Sequence, residues 1–129
     1  MTTELQMLTW SVVLTLIQVV VTVLLATRQV GLPALAGNRE GMAELSGMAG
    51  RSARAHRNML ENLVLFAALA LTVVVTDRSN TLSAAGAQLF FWGRVAYFLV
   101  YTAGLPWIRT ATWGVSVAGL VVMLLQLIP

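Results

Sequence analysis

The residues best suited to chemistry lie in one segment, RSARAHRNMLE, which covers residues 51–61. At about 100° per residue of an α-helix, Arg54, Asn58 and Glu61 fall within roughly 60° of one another. A guanidinium, an amide and a carboxylate on one helix face could together hold a small zwitterionic ligand with carboxylates at one end and an ammonium at the other. The spacing therefore predicts a polar, ligand-binding stripe on a helix.

Three further basic side chains surround this stripe. Arg51 lies about 60° to one side of Arg54, and His56 points about 200° away from it. Arg57 precedes Glu61 by four residues, which is within reach of an ion pair. Taken alone, the arginines are also typical of the positive anchors at the cytoplasmic ends of membrane helices.

A second polar stripe follows in an apolar segment, where Arg94, Tyr97 and Tyr101 lie within about 60° of one another. An arginine at the centre of a membrane helix raises the free energy of insertion by about 2.5–3.5 kcal/mol. It is therefore expected to face protein or a water-filled cavity and to have an acidic partner. Glu61 is the acid at a comparable depth, and we expect it to pair with Arg94. Such a pair is compatible with either a structural role or a binding role.

Arg109 is predicted to lie in the first turn of the last helix. Unpaired backbone N–H groups and the helix dipole favour an anion there, and Thr110 adds a hydroxyl donor. A thiol bound at this position would be favoured in its thiolate form, which is the form that attacks electrophiles.

The composition predicts an integral membrane protein. Of 129 residues, 58% are hydrophobic and 10% are charged, and the mean hydropathy is +0.82, which is not expected of a soluble single domain. All eight basic residues are arginines, mostly at predicted helix ends, so the net charge of +3 does not indicate nucleic-acid binding. Cysteine is absent, which excludes disulfides, thiolate zinc sites and a cysteine nucleophile. No metal site is predicted.

Apolar runs and turn residues predict four membrane-spanning helices in one domain covering residues 1–129. The predicted helices cover about 5–27, 51–76, 83–103 and 106–128, and a glycine-rich loop covers about 28–50. The first apolar run would extend roughly 34 Å as a helix, enough to cross the hydrocarbon core. Short turns after the second and third helices make their neighbours antiparallel, so the predicted fold is an all-α, four-helix up-down bundle.

The arginines predict the orientation in the membrane. One end of the predicted bundle holds Arg28, Arg39, Arg51, Arg54, Arg57 and Arg109. The other end holds only Arg78. By the positive-inside rule the arginine-rich end is cytoplasmic and both termini lie outside the cytoplasm. The alanine-rich, lysine-free composition suggests a prokaryotic plasma membrane.

The motifs together resemble those of the MAPEG family, membrane-associated proteins in eicosanoid and glutathione metabolism. The resemblance comprises RAHRNxxE, which begins at Arg54, GRVAYxxxY, which begins at Gly93, and Arg109, in the same order. These segments are similar to those of the prostaglandin E synthase and glutathione transferase branches of the family, and the resemblance extends over all four predicted helices.

The resemblance implies a homotrimer of four-helix subunits that binds glutathione, as a co-substrate, between neighbouring subunits near the cytoplasmic side. Arg109 would stabilise the thiolate, and four residues would have supporting roles, namely Arg51, His56, Arg57 and Thr110. The glutathione-binding residues would be Arg54, Asn58, Glu61, Arg94, Tyr97, Tyr101 and, from the adjacent subunit, Arg28.

The predicted function is that of a membrane-bound glutathione transferase or peroxidase. Glutathione would attack a lipophilic electrophile or hydroperoxide that enters from the surrounding lipid. Two alternatives remain open from the sequence. One is a glutathione-dependent isomerase, and the other is a non-catalytic membrane scaffold that binds lipid or a protein partner.

Overall fold

The computed structural model describes residues 1–129 and contains five helices and no strand. The helices are α1 (Thr3–Val30), α2 (Leu32–Ala36), α3 (Gly47–Val75), α4 (Thr81–Ala103) and α5 (Pro106–Leu125). The all-helical prediction is therefore confirmed. Four of the helices are long, and α2 is a single short turn within the connection between α1 and α3.

The loop predicted over about 28–50 is shorter in the structure. Arg28 lies in the last turn of α1, where a cation complements the helix dipole, and α1 continues to Val30. Gly31, with a φ of 84°, ends the helix in a conformation that favours glycine. The Gln29 side chain then bonds both the backbone N–H and the backbone carbonyl of Ser46, at 2.8 and 3.0 Å, and α3 begins directly afterwards at Gly47.

Local capping sets the start of α4. The Asn80 side chain accepts from the backbone N–H groups of Leu82 and Ser83, and the Ser83 hydroxyl accepts from the Asn80 N–H, which forms a capping box. The helix consequently begins at Thr81, two residues before the predicted position. Pro106 opens α5 as predicted, because a helix needs no N–H at its first position.

Contacts between helix ends show that the four long helices alternate in direction. Glu4, at the start of α1, accepts a hydrogen bond from Ser83 at the start of α4. The guanidinium of Arg51, near the start of α3, donates to the Thr102 carbonyl at the end of α4 over 3.1 Å. Arg78, after α3, donates to the Leu127 carbonyl, after α5, over 2.9 Å.

The apolar core lies between α3 and α4 and is closed by α1 and α5. Phe66 and Phe90 are fully buried, and their rings stack with centroids 4.2 Å apart. Leu14 from α1 and Met123 from α5 complete this cluster. Helix α4 thus contacts all three other long helices, so its inward side chains define the interior of the bundle.

Helices α4 and α5 approach closely at two glycines. A Cβ atom at Gly86 would lie 2.8 Å from the carbonyl oxygen of Gly119, and a Cβ atom at Gly119 would in turn meet the carbonyl oxygen of Gly86. Small residues at such positions allow the two backbones to touch, as is common between membrane helices. This contact helps to set the depth of α5 relative to α4.

Three helices, α1, α3 and α5, are long and apolar enough to cross a membrane. Helix α4 has 23 residues, but Gln88, Arg94, Tyr97 and Tyr101 lower its hydropathy, and it does not belong to that group. The integral membrane character is supported by these helices. A fourth crossing by α4 stays a prediction.

Candidate functional site

The principal candidate site is a cavity of about 330 Å³ between α3, α4 and α5, called here the main cavity. Its walls are formed by Asn58, Tyr97, Tyr101, Arg109, Thr110 and Trp113. Five of these six residues were predicted from the sequence. The wall combines three aromatic rings with three polar side chains and contains no carboxylate, which suits a ligand that presents negative charge.

Arg109 lies in the first turn of α5, four positions into the helix that Pro106 opens. Its guanidinium carbon is 4.6 Å from the centroid of the Tyr101 ring. The rings of Tyr101 and Tyr97 meet edge to face with centroids 5.4 Å apart. A cation held over an aromatic face keeps its N–H donors free for an anion in the cavity. Because α5 begins at Pro106, Arg109 and Thr110 lie at the start of this helix, as the sequence predicted.

Arg94 lies behind the main cavity and does not line it. The side chain is only 1% exposed. Its Nη2 donates to the Asn58 Oδ1 over 2.5 Å, its Nη1 donates to the Ser116 hydroxyl over 3.4 Å, and its guanidinium carbon is 4.5 Å from the Tyr97 ring centroid. The Nε atom has no partner in the chain.

The predicted ion pair between Arg94 and Glu61 is wrong. Glu61 is exposed and forms no hydrogen bond with Arg94, whose partner on α3 is Asn58, one turn earlier on the same face. The reason is geometric, because the depth at which two helices meet decides which of several polar residues on one stripe faces a given partner. An amide and an aromatic ring stabilise the buried cation in place of a carboxylate.

Arg54 and Arg51 join the start of α3 to the end of α4. The Nε of Arg54 donates to the Tyr101 hydroxyl over 3.0 Å. Arg54 also lines a second cavity of about 290 Å³, called here the side cavity. The other residues of the side cavity are Glu44, Leu45, Gly50, Ala53 and Arg57. Through Tyr101, Arg54 therefore reaches the wall of the main cavity.

Five predicted residues lie away from the main cavity. Arg51 donates to the Thr102 carbonyl at the end of α4. Arg28 is exposed in the last turn of α1, and Glu61 is exposed on α3. His56 is half-buried against α1, where its Nδ1 lies 3.4 Å from the Gln18 Oε1. Arg57 is exposed and lines only the side cavity. The structure of one chain therefore unites Arg54, Asn58, Arg94, Tyr97, Tyr101, Arg109 and Thr110, and leaves these five outside.

Three contributors were missed from the sequence. Trp113 lies one helical turn after Arg109 on the same face, so the spacing that placed the predicted stripes would also have found it. The Ser116 hydroxyl accepts from Arg94 and donates to the Trp113 carbonyl over 2.8 Å. The Nδ2 of Asn62 donates to the Asn58 carbonyl over 2.8 Å and lies 3.3 Å from the Asn58 Oδ1. No sequence signal distinguishes Ser116 and Asn62 from ordinary polar residues of a helix.

The model of the MAPEG family matches residues 7–128. The chain belongs to the MAPEG family. The MAPEG family includes glutathione transferases and related enzymes as well as members that are not enzymes. No curated protein and no solved structure shows significant similarity to the chain.

Proposed function

We propose that this MAPEG protein is a membrane-bound glutathione transferase or peroxidase that activates the thiolate of glutathione in the main cavity. The observation that carries the proposal is Arg109, a cation at the N-terminal turn of α5, facing a cavity without carboxylates. Thr110 adds a hydroxyl on the same wall. An arginine, a hydroxyl and the start of a helix dipole all favour a bound anion over its protonated form.

Glutathione has the groups that this site would recognise, namely two carboxylates, an ammonium and a thiol. In the proposal, Asn58, Tyr97 and Tyr101 contact the peptide in the main cavity, and Arg54 binds a carboxylate from its position beside the side cavity. The exposed carboxylate of Glu61 pairs with the ammonium group. The volume of the main cavity lies at the lower end of the range for small-molecule sites, about 300–1,000 Å³.

The second substrate in the proposal is lipophilic and enters from the membrane. Trp113 forms the apolar part of the wall, one turn from Arg109. With an electrophile, the thiolate sulfur forms a bond to carbon and displaces the leaving group or opens the electrophilic bond. With a hydroperoxide, the sulfur takes the terminal oxygen and an alcohol leaves. A second glutathione then reduces the sulfenic acid, which gives water and the disulfide.

The proposal includes a homotrimer with the cavities at the cytoplasmic side. Arg28 lies outside the main cavity of its own chain, and a neighbouring subunit would bring an equivalent arginine to the site. The arginine-rich end of the bundle would face the cytoplasm and both termini would lie opposite, in a plasma membrane of prokaryotic type.

The test is an ultraviolet difference spectrum of the purified protein in detergent, recorded on addition of reduced glutathione. We expect a thiolate band near neutral pH in the wild type and its loss in the Arg109→Ala variant, because the nearest cation has been removed. The matched control is Arg39→Ala, since Arg39 is exposed in the loop after α2 and bonds only the Leu35 carbonyl.

Four outcomes separate the candidate functions. A thiolate band that Arg109→Ala abolishes and Arg39→Ala retains supports the proposal. A band that persists in Arg109→Ala contradicts the role of Arg109. No band in any variant, together with no thermal stabilisation by glutathione, favours the non-catalytic scaffold. Turnover without net consumption of glutathione would favour the isomerase.

A further inference from the structure

The orientation of the Asn58 side chain is fixed from behind the main cavity. Its Oδ1 accepts from the Arg94 Nη2 over 2.5 Å and lies 3.3 Å from the Asn62 Nδ2. An amide oxygen has two lone pairs, so these two donors occupy both of them. If the amide were flipped, its own N–H donors would face a guanidinium and another amide N–H. Only one orientation is therefore compatible with the surrounding donors.

This orientation decides what Asn58 offers to a ligand. With its oxygen held by Arg94, the Nδ2 group of Asn58 has no partner within the chain, and the residue lines the main cavity. Asn58 therefore presents two N–H donors and no acceptor. The guanidinium of Arg109 likewise offers only donors to the cavity. A side chain that could act as donor or acceptor has been restricted to one role.

Arg94 is placed to impose this restriction without touching the cavity. It is buried and does not form part of the wall. A hydrogen bond from a charged donor is stronger than one between neutral groups, so Arg94 holds the amide more firmly than Asn62 does. The contact with the Ser116 hydroxyl and the position over the Tyr97 ring hold the guanidinium itself in place.

We propose that Arg94 is a positioning residue that acts through Asn58, and that the Asn58 amide donates to an anionic or acceptor atom of the ligand, a carboxylate or the thiolate of glutathione. The inference rests on the proposed function for the identity of the ligand. It changes the role that the family resemblance implied for Arg94, from a direct contact with glutathione to control of the orientation of a neighbouring side chain.

A double-mutant cycle tests the inference. The dissociation constant of reduced glutathione is measured by calorimetry in detergent for the wild type, Asn58→Ala, Arg94→Met and the double variant. We expect each single substitution to raise the dissociation constant about tenfold, as for the loss of one charge-assisted hydrogen bond. We expect the double variant to resemble Asn58→Ala within about twofold, because Arg94 has no role once the amide is gone. Arg94→Lys, which keeps a charged donor, should restore most of the affinity.

Effects that multiply to about a hundredfold in the double variant would overturn the inference, since Arg94 would then act on the ligand independently of Asn58. Asn62→Ala serves as a comparison variant. It should raise the dissociation constant of glutathione less than Arg94→Met does, because it removes only the neutral donor to Asn58. A wild-type protein that does not bind glutathione overturns the proposed function together with this inference. Multiplicative effects in a protein that binds glutathione overturn only the inference.

A measurement on the unaltered protein covers the case in which Arg94→Met does not fold. With selective ¹⁵N labelling of asparagine, the side-chain NH₂ resonances of Asn58 should shift when glutathione is added, because those protons form the new hydrogen bond. The resonances of Asn80, at the opposite end of the bundle, should not shift. Unchanged Asn58 resonances in glutathione-saturated protein would contradict the inference.

Discussion

The contact between α4 and α5 supports a prediction in which two glycines of the same helix respond in opposite directions. A Cβ atom at Gly119 would lie 2.7 Å from the Phe90 nitrogen and 3.1 Å from the Leu89 Cβ. A Cβ atom at Gly114 would have no atom within 4 Å. The two positions are five residues apart in α5, so Gly119→Ala and Gly114→Ala form a matched pair.

The expected magnitudes follow from these distances. Normal contacts between heavy atoms are about 3.5–4.0 Å, so Gly119→Ala must separate two backbones by roughly 1 Å. Overpacking of this kind lowers the free energy of unfolding by about 1–3 kcal/mol. Gly114→Ala meets no obstacle and gains helix propensity, up to about 1 kcal/mol. For a chain of this length, 1 kcal/mol corresponds to about 3–5 °C in Tm.

The assay is thermal unfolding in detergent, followed by circular dichroism and by glutathione-dependent turnover. We expect Gly119→Ala to lower Tm by about 3–15 °C. We also expect Gly119→Ala to reduce turnover, because α5 carries Arg109 and Thr110. Gly114→Ala should leave Tm unchanged or raise it slightly. Equal melting temperatures for the two variants, or a more stable Gly119→Ala, would show that the close approach of α4 and α5 does not determine the packing.

Two further predictions concern the ligand and the core. Glu61→Gln should raise the dissociation constant of glutathione about threefold to tenfold, since an exposed carboxylate pairs only moderately with an ammonium group. Calorimetry with Glu40→Gln as control measures this effect, and an unchanged affinity would remove Glu61 from the site. Phe66→Ala should lower the free energy of unfolding by about 3 kcal/mol, because it empties a fully buried position that stacks on Phe90. Phe66→Leu fills most of that volume, so thermal unfolding should show a smaller loss of stability. Equal losses of stability in the two variants would contradict the packing argument.

The sequence by itself determined the helices and the polar faces they carry. Apolar runs, capping residues and the period of the α-helix are local properties, so the four long helices could be predicted to within a few residues at most of their ends. The same period placed Arg54, Asn58 and Glu61 on one face of α3, and Arg94, Tyr97 and Tyr101 on one face of α4. The family of the protein also followed from these local motifs and is confirmed over residues 7–128.

Only the tertiary structure decided which of these residues meet. The axial position of α4 against α3 sets Asn58, one turn before Glu61, as the partner of Arg94. The rotation of α3 turns His56 toward Gln18 of α1, and the rotation of α5 brings Trp113 into the cavity wall. The Asn58 Oδ1 accepts a hydrogen bond from Arg94 of another helix. These features arise from the relative depth and rotation of packed helices, which the contact between Gly86 and Gly119 helps to fix and which no local pattern encodes.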